Sequence, residues 1–515
     1  MTTQSLSIES APSLAGPGAK GSSSASATSA SPPQVSRGSV PRGATWMWVA
    51  LALVLTWLVG HRWGLAVLAW VAPVPWLVLA TRAQGWRQWS GLLVLCLVVH
   101  VAWMAKVVTA PMPWALAFGF GLPIGLGSFV GLRTYRAVHD RGGALVALAF
   151  YVAFVVLSDV IGARTSELGA WSTMGNAMVG DLVLLQLTSA LGLSAIGFLL
   201  ASVSGVIATA LTIPEPRRML PWAVVAATLV LGAYGFGAWR LDAGRPEGRS
   251  VRAAAVTTAV GLDERGLPED AVLLAAVDEL FARSERAVEL GAELVVWNEA
   301  AAMLRAEHEA DTIVRGRELA RRHGVELVMG YAVLVDEDPF SFRNEYVWID
   351  REGELVERYA KHHPVPGEPS IRGEDPLRVH DHDYGRAAGA LCYDYDFPAM
   401  ALGHARLGAD LVVVPSSDWR GIDPYHTEMA RVRAIEGGFS VLRPVRWAAS
   451  AGFDSLGRVR GWMPAEDTSG VMVVSLPTER VDTIYSRVGD APMATLAGGL
   501  GVFVLARTVR RRRSA

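Results

Sequence analysis

Three short stretches of this 515-residue chain carry residue types that together could run covalent acyl chemistry. "GALCYDYDFPAM" (389–400) sets Cys392 between an apolar run and two aspartates, "WNEA" contains Glu299, and "RYAKHHPVPGE" contains Lys361. A thiol attacks as its thiolate, which calls for a base or positive surroundings. Glu299 is a candidate base if a dry pocket brings its acidity toward neutrality. Lys361 is a candidate to stabilise the thiolate and then the oxyanion of a tetrahedral intermediate. The scheme needs no histidine.

Two scarcities sharpen this reading. Of 47 basic residues only Lys20, Lys106 and Lys361 are lysine, so the polar second half, otherwise supplied with arginine, keeps a single lysine. Lysine is a compact charge whose acidity shifts on burial, whereas arginine stays protonated and presents a planar fork. There are also only two cysteines, Cys96 inside the apolar "GLLVLCLVVH" and Cys392, too few for a disulfide framework. His362, His363, His380 and His382 follow no standard metal-ligand spacing, so no metal and no cofactor is expected.

The elements that must position these residues alternate. "VRAAAVTTAV" reads as a buried strand, and "EDAVLLAAVDELFARSERAVELG" as an amphipathic helix ended by Gly291. "AELVVWNEA" is a strand finishing on Glu299, followed by a helix over about 309–323 and the strand "VELVMGYAVL". "NEYVWID" and "ELVERYA" pair around a turn, and "GRAAGALCYD" ends at the cysteine. Helices near 398–408 and 424–437 flank the strand "ADLVVVPSS". This alternation predicts a layered α/β domain over 242–488, with Glu299, Lys361 and Cys392 all at strand ends, where loops present chemistry.

The rest of the chain is of a different kind. Residues 1–43 are rich in Ser, Ala, Gly and Pro and read as a disordered cytoplasmic tail. Residues 44–241 contain seven runs long and apolar enough to cross a bilayer, at about 45–60, 64–81, 89–109, 113–132, 143–162, 183–211 and 220–239. An eighth occupies 489–507, before a basic tail at 508–515. Arginines gather in alternate loops (Arg82 and Arg87; Arg133, Arg136 and Arg141; Arg217 and Arg218) and after the eighth run. The positive-inside rule then puts the N-terminus in the cytoplasm and 242–488 on the extracytoplasmic face of a multi-pass membrane protein. No basic stripe or nucleic-acid motif appears, which sets that class aside.

The Glu299, Lys361 and Cys392 blocks, in that order, resemble the three signatures of the nitrilase, or carbon-nitrogen hydrolase, superfamily. With seven runs before the domain and one after, the chain is similar to the apolipoprotein N-acyltransferase family, including "ELGAWSTMGNAMVGDLVLLQLTSALG" and "SSDWRGIDPYHTEMARVRAIEGG". The resemblance implies an αββα sandwich on the periplasmic face of a bacterial inner membrane. It implies that Cys392 takes an acyl chain from a membrane phospholipid and passes it to the N-terminal amine of a diacylglyceryl-cysteine lipoprotein. It makes Glu299 the general base, Lys361 the oxyanion stabiliser and Glu368 a second pocket carboxylate, with Tyr393 and Asp394 flanking the nucleophile. Trp171 and Trp419 are candidates for the lipid entrance. The chain departs from the family at Asp394, where a glutamate is usual, in the missing Gln-x-Asn element at "VTTAVGLDERG", and in the short "PVPGEPS". A membrane-tethered hydrolase and an inactive scaffold of the same fold are the alternatives.

Overall fold

The computed structural model describes residues 42–513 apart from 245–247, 262–267 and 468. The expected tail at 1–43 lies almost wholly outside the described residues, as do the last two residues of the expected basic tail.

Among the described residues, six helices are long and apolar enough to cross a membrane: Gly85–Met104, Ala115–Gly142, Ala144–Thr165, Ser194–Thr212, Pro216–Ala243 and Ala491–Arg510. The first two expected spans are shorter. Thr45–Leu58 is a single helix, and 64–81 is interrupted, a 3-10 turn at Ala66–Trp70 followed by the nine-residue helix Val74–Arg82. Pro73 and Pro75 lack the amide hydrogens that would carry one helix through. The expected span 183–211 is likewise divided, because Gly192 at φ +74° separates the short helix Thr188–Leu191 from Ser194–Thr212. Arg133, Arg136 and Arg141 lie within Ala115–Gly142, so that helix outlasts its apolar part. Gly85–Met104 and Ala115–Gly142 pack with little between their backbones. A Cβ at Gly121 would meet the Val101 Cα at 2.6 Å, and one at Gly125 the Cys96 carbonyl oxygen at 2.8 Å. Glycines four apart on one helix face are a common way for apolar helices to approach closely.

The strands in chain order are β1 (Ser250–Val256), β2 (Leu294–Trp297), β3 (Ala302–Leu304), β4 (Glu326–Glu337), β5 (Phe340–Ile349), β6 (Leu355–Ala360), β7 (Ser370–Ile371), β8 (His380–His382), β9 (Gly385–Gly389), β10 (Leu411–Val413), β11 (Ser416–Ser417), β12 (Ser440–Arg443), β13 (Val445–Arg446), β14 (Ser450–Phe453), β15 (Val459–Met463) and β16 (Val471–Pro477). One sheet runs β16-β1-β2-β4-β5-β6 and a second β15-β14-β12-β10-β9-β8. β1, β2 and β4 are parallel neighbours, as are β9, β10 and β12.

Side chains alternate across a strand, and here both faces are buried. In β1, Val251, Ala253 and Ala255 join the core shared with the second sheet, while Ala254 and Val256 face the helices Asp270–Glu289 and Ala306–His323. The second sheet is covered by Pro398–Leu407 and Tyr425–Gly437, which completes the αββα sandwich. Tyr425, Met429, Val432 and Ile435 of the last helix share a further core with Met104, Trp171, Leu184 and Ile196 of the membrane half.

Candidate active site

Each of the three candidate residues leaves a strand end and is fixed by a backbone bond across the ends of the sheets. The Glu299 amide donates to Ser416 O (3.3 Å), that of Lys361 to Asn344 O (2.9 Å) and that of Cys392 to Pro415 O (2.9 Å). Gly330 in β4 lets the Glu299 turn settle onto the sheet, since a Cβ there would lie 2.3 Å from Asn298 O. Cys392 opens a 3-10 turn, Cys392–Asp396, at φ +42°, and Ala300 beside Glu299 has φ +46°. Non-glycine residues in this region are strained by about 1–3 kcal/mol each, and such strain gathers at functional sites.

The side chains converge. Lys361 Nζ donates to Glu299 Oε1 at 2.8 Å and to Glu368 Oε2 at 2.7 Å. Asn344 Nδ2 bridges the same two carboxylates, at 2.8 Å to Glu299 Oε1 and 3.1 Å to Glu368 Oε1. Glu299, Lys361 and Cys392 are all buried, at 3%, 1% and 3% exposure. Burial works against the charge on Lys361, but Glu299, Glu368 and Cys392 outweigh it and hold the ammonium well above its ordinary range. Burial also opposes ionisation of Glu368, yet Lys361 beside it holds its pKa below the usual carboxylate range. For Cys392, burial and then Glu299 and Asp418 push the thiol well above its usual value, against Lys361 and Arg443. The resting sulfur is therefore a neutral thiol beside a permanent cation.

Asn344 escaped the sequence reading although a signal existed. It is a polar residue on the β5 face that otherwise carries Tyr346 and Trp348 into the inter-sheet core. A second charged group also went unread. Asp418 is fully buried and takes both Arg443 guanidinium nitrogens (3.0 and 2.9 Å) and His426 Nδ1 (2.9 Å). His426 Nε2 meets Asp396 at 2.9 Å, and burial of the imidazole is overcome by Asp396 and Asp418, which raise it to about 9. Cys392, Asp418 and His426 have ligand atoms within 4.8 Å of one another. Arg443 already compensates Asp418, and both imidazole nitrogens carry carboxylate partners, so these residues do not fit a metal ion.

The flanking residues take supporting positions. Asp394 is fully buried and accepts from Tyr359 Oη (2.8 Å), the Leu391 amide (3.1 Å) and the His363 amide (2.8 Å), with His363 Nδ1 at 3.0 Å. It ties the Cys392 turn to the Lys361 loop, and its carboxylate bonds neither Glu299 nor Lys361. Tyr393 Oη donates to Glu167 O in the membrane half at 2.8 Å. Trp171 is buried and donates to Asp396 Oδ2 at 2.9 Å, and it lines an apolar cavity of about 290 Å³ among the membrane helices. Trp419 donates to Val107 O and lines the cavity at Glu299 and Lys361.

That cavity, about 370 Å³, is walled by Glu299, Asn344, Lys361, Glu368 and Asp418 and continues to Pro111 and Met112 in the segment between two membrane helices and to Leu116 at the start of the second. Its wall is mostly apolar, with the charged groups gathered at the end that holds Glu299, Lys361, Glu368 and Asp418.

Residues 256–485 match the carbon-nitrogen hydrolase family, so the sandwich is a carbon-nitrogen hydrolase domain set within a membrane protein. Over most of its length the chain is similar to apolipoprotein N-acyltransferases. It is 27% identical to that of Bradyrhizobium diazoefficiens, over 78% of this chain and 81% of the relative. It is 25% identical to that of Geobacter metallireducens, over 86% and 91%. Among solved structures, an amidase from Nesterenkonia sp. aligns over 48% of this chain and 97% of its own at 24% identity, with a TM-score of 0.40.

Proposed function

We propose that the chain is a phospholipid-dependent N-acyltransferase that acylates the N-terminal amine of diacylglyceryl-cysteine lipoproteins through a thioester on Cys392. The observation that carries this reading is the buried Lys361 ammonium clamped between Glu299 and Glu368, in a chamber that runs into the membrane half. The similarity to apolipoprotein N-acyltransferases supports the substrate class.

In the first transfer Glu299 takes the thiol proton as Cys392 Sγ bonds the ester carbonyl carbon of the donor. An ammonium has three donors, and two of those on Lys361 are engaged by carboxylates, which leaves one for the new oxyanion. Collapse breaks the ester C–O bond, and Glu299 returns the proton to the departing lysophospholipid oxygen. In the second transfer the lipoprotein amine attacks the thioester, Glu299 takes a proton from it, and the thiolate leaves to be reprotonated. Asn344 holds the two carboxylates apart at fixed spacing, and Asp394 braces the turn that carries the sulfur.

Both substrates would reach this chamber from the outer leaflet of a cytoplasmic membrane, with the domain extracytoplasmic, as the arginine distribution favours. Incubating the purified protein with phospholipid and then a diacylated lipopeptide tests the reading. A Cys392 thioester by mass spectrometry, followed by triacylated peptide, is expected. Release of free fatty acid alone would assign the chain to the tethered hydrolases, and absence of any thioester would make it a scaffold.

A further inference from the structure

The scheme above uses Glu299, Lys361 and Cys392 but leaves the buried Asp418 group without a task. The Cys392 sulfur has two hydrogen-bond acceptors, Asp418 Oδ1 at 3.7 Å and Ser417 O at 3.9 Å, and neither belongs to Glu299. Asp418 is set in place from three directions. Arg443, itself 1% exposed, reaches both its oxygens, His426 Nδ1 bonds Oδ1, and the Asp418 amide donates to Arg446 O at 3.2 Å. His426 in turn is anchored through Asp396 to Trp171 of the membrane half. A carboxylate held this firmly has no freedom to follow the sulfur through a reaction.

We propose that Asp418 is the resting-state partner of the Cys392 thiol proton, a positioning residue that keeps the nucleophile protonated until an acyl donor turns the sulfur toward Glu299. The inference rests on Cys392 being the acyl-carrying nucleophile. Its chemistry is a change of hydrogen-bond acceptor: the S–H bond stays whole while it faces Asp418 and breaks only when Glu299 takes the proton. The other charged or titratable groups around the sulfur are Lys361, Arg443, Arg446, His426 and Tyr393, of which the first four, as cations, favour the thiolate. A nucleophile parked this way is spared alkylation and oxidation, both of which act on the thiolate.

The test is the pH profile of Cys392 alkylation by iodoacetamide in the full-length protein in detergent without lipid, read on the Cys392 peptide. Asp418→Asn is expected to displace the profile by about one pH unit downward, or about tenfold faster alkylation near neutrality. His426→Gln leaves Asp418 and Arg443 in place but removes a positive neighbour, and about threefold slower alkylation is expected, as for a half-unit rise. A merely structural role would change the amplitude without moving the midpoint. An unmoved or raised midpoint in Asp418→Asn overturns the proposal, as does a lowered one in His426→Gln, and the second result decides alone if Asp418→Asn does not fold. If phospholipid forms no thioester with the unaltered protein, the functional reading fails, while the alkylation profile still decides the role of Asp418.

Discussion

The chain has two thiols, both buried, in surroundings that could hardly differ more. Cys96 sits mid-helix in Gly85–Met104 against apolar neighbours, and its carbonyl accepts from His100 Nδ1 at 2.7 Å. Cys392 sits on a strained turn with Lys361, Arg443, Glu299 and Asp418 around it. Burial is common to both and so cannot account for reactivity. What separates them is a ring of fixed charges, delivered by strand ends, around a sulfur that the backbone turns outward from the sheet.

The sharpest way to break this contrast is to remove each thiol in turn. Cys392→Ala should lower thioester formation and lipopeptide acylation by about 10⁴-fold or more, as loss of a nucleophile does. Cys96→Ala should leave both within about twofold, and the same assay run on both variants decides. Next comes the charge that distinguishes the two sites. Lys361→Arg keeps a cation but not its compact shape between two carboxylates, and acylation should fall about 10²–10³-fold, the usual effect of losing one oxyanion donor. An active Lys361→Arg enzyme would mean that charge alone suffices. A smaller effect is expected at the brace. Asp394→Asn turns an amide toward donors that now point at a carboxylate, and denaturant unfolding should show a loss of about 1–3 kcal/mol.

The smallest effect is a slope. His426 has no counterpart in charge around Cys96, and its folded-state value of about 9 lies above the unfolded 6.5. A raised value means the charged imidazole stabilises the fold fully below about pH 6.5, and that contribution is lost as pH rises through 9. Thermal stability should therefore decline from pH 6.5 to 9, and His426→Gln should flatten that decline.

What the sequence made legible follows a simple division. Alternation of strands and helices was enough to place Glu299, Lys361 and Cys392 at strand ends: the fully buried Leu294–Trp297 ends visibly where its apolar run does, and the half-exposed edge strand Leu355–Ala360 shows itself by its pairing across a turn. The resemblance implied Glu368 as a second pocket carboxylate, and Lys361 is hydrogen-bonded to both it and Glu299. Asp418, Arg443 and His426 were not legible. They pair over separations of 8 to 25 residues inside one stretch dense with charged residues, and nothing local distinguishes a buried ion pair there from a solvated one. The second membrane run was read as a whole span because hydropathy sums composition, whereas the proline pair at 73 and 75 acts on the backbone.

Tyr393 and Asp396, one and four residues past Cys392, are bonded to Glu167 and Trp171 of the membrane half. The sulfur is thus mounted on a part shared by both halves. Excising 242–488 as a free enzyme would cut the mounting itself, and would strip the apolar face of Tyr425–Gly437 of its cover. The lipid surroundings consequently form part of the machine's tolerance: a bilayer that is too thin or too stiff for the helices would register as a displaced nucleophile, with no residue changed.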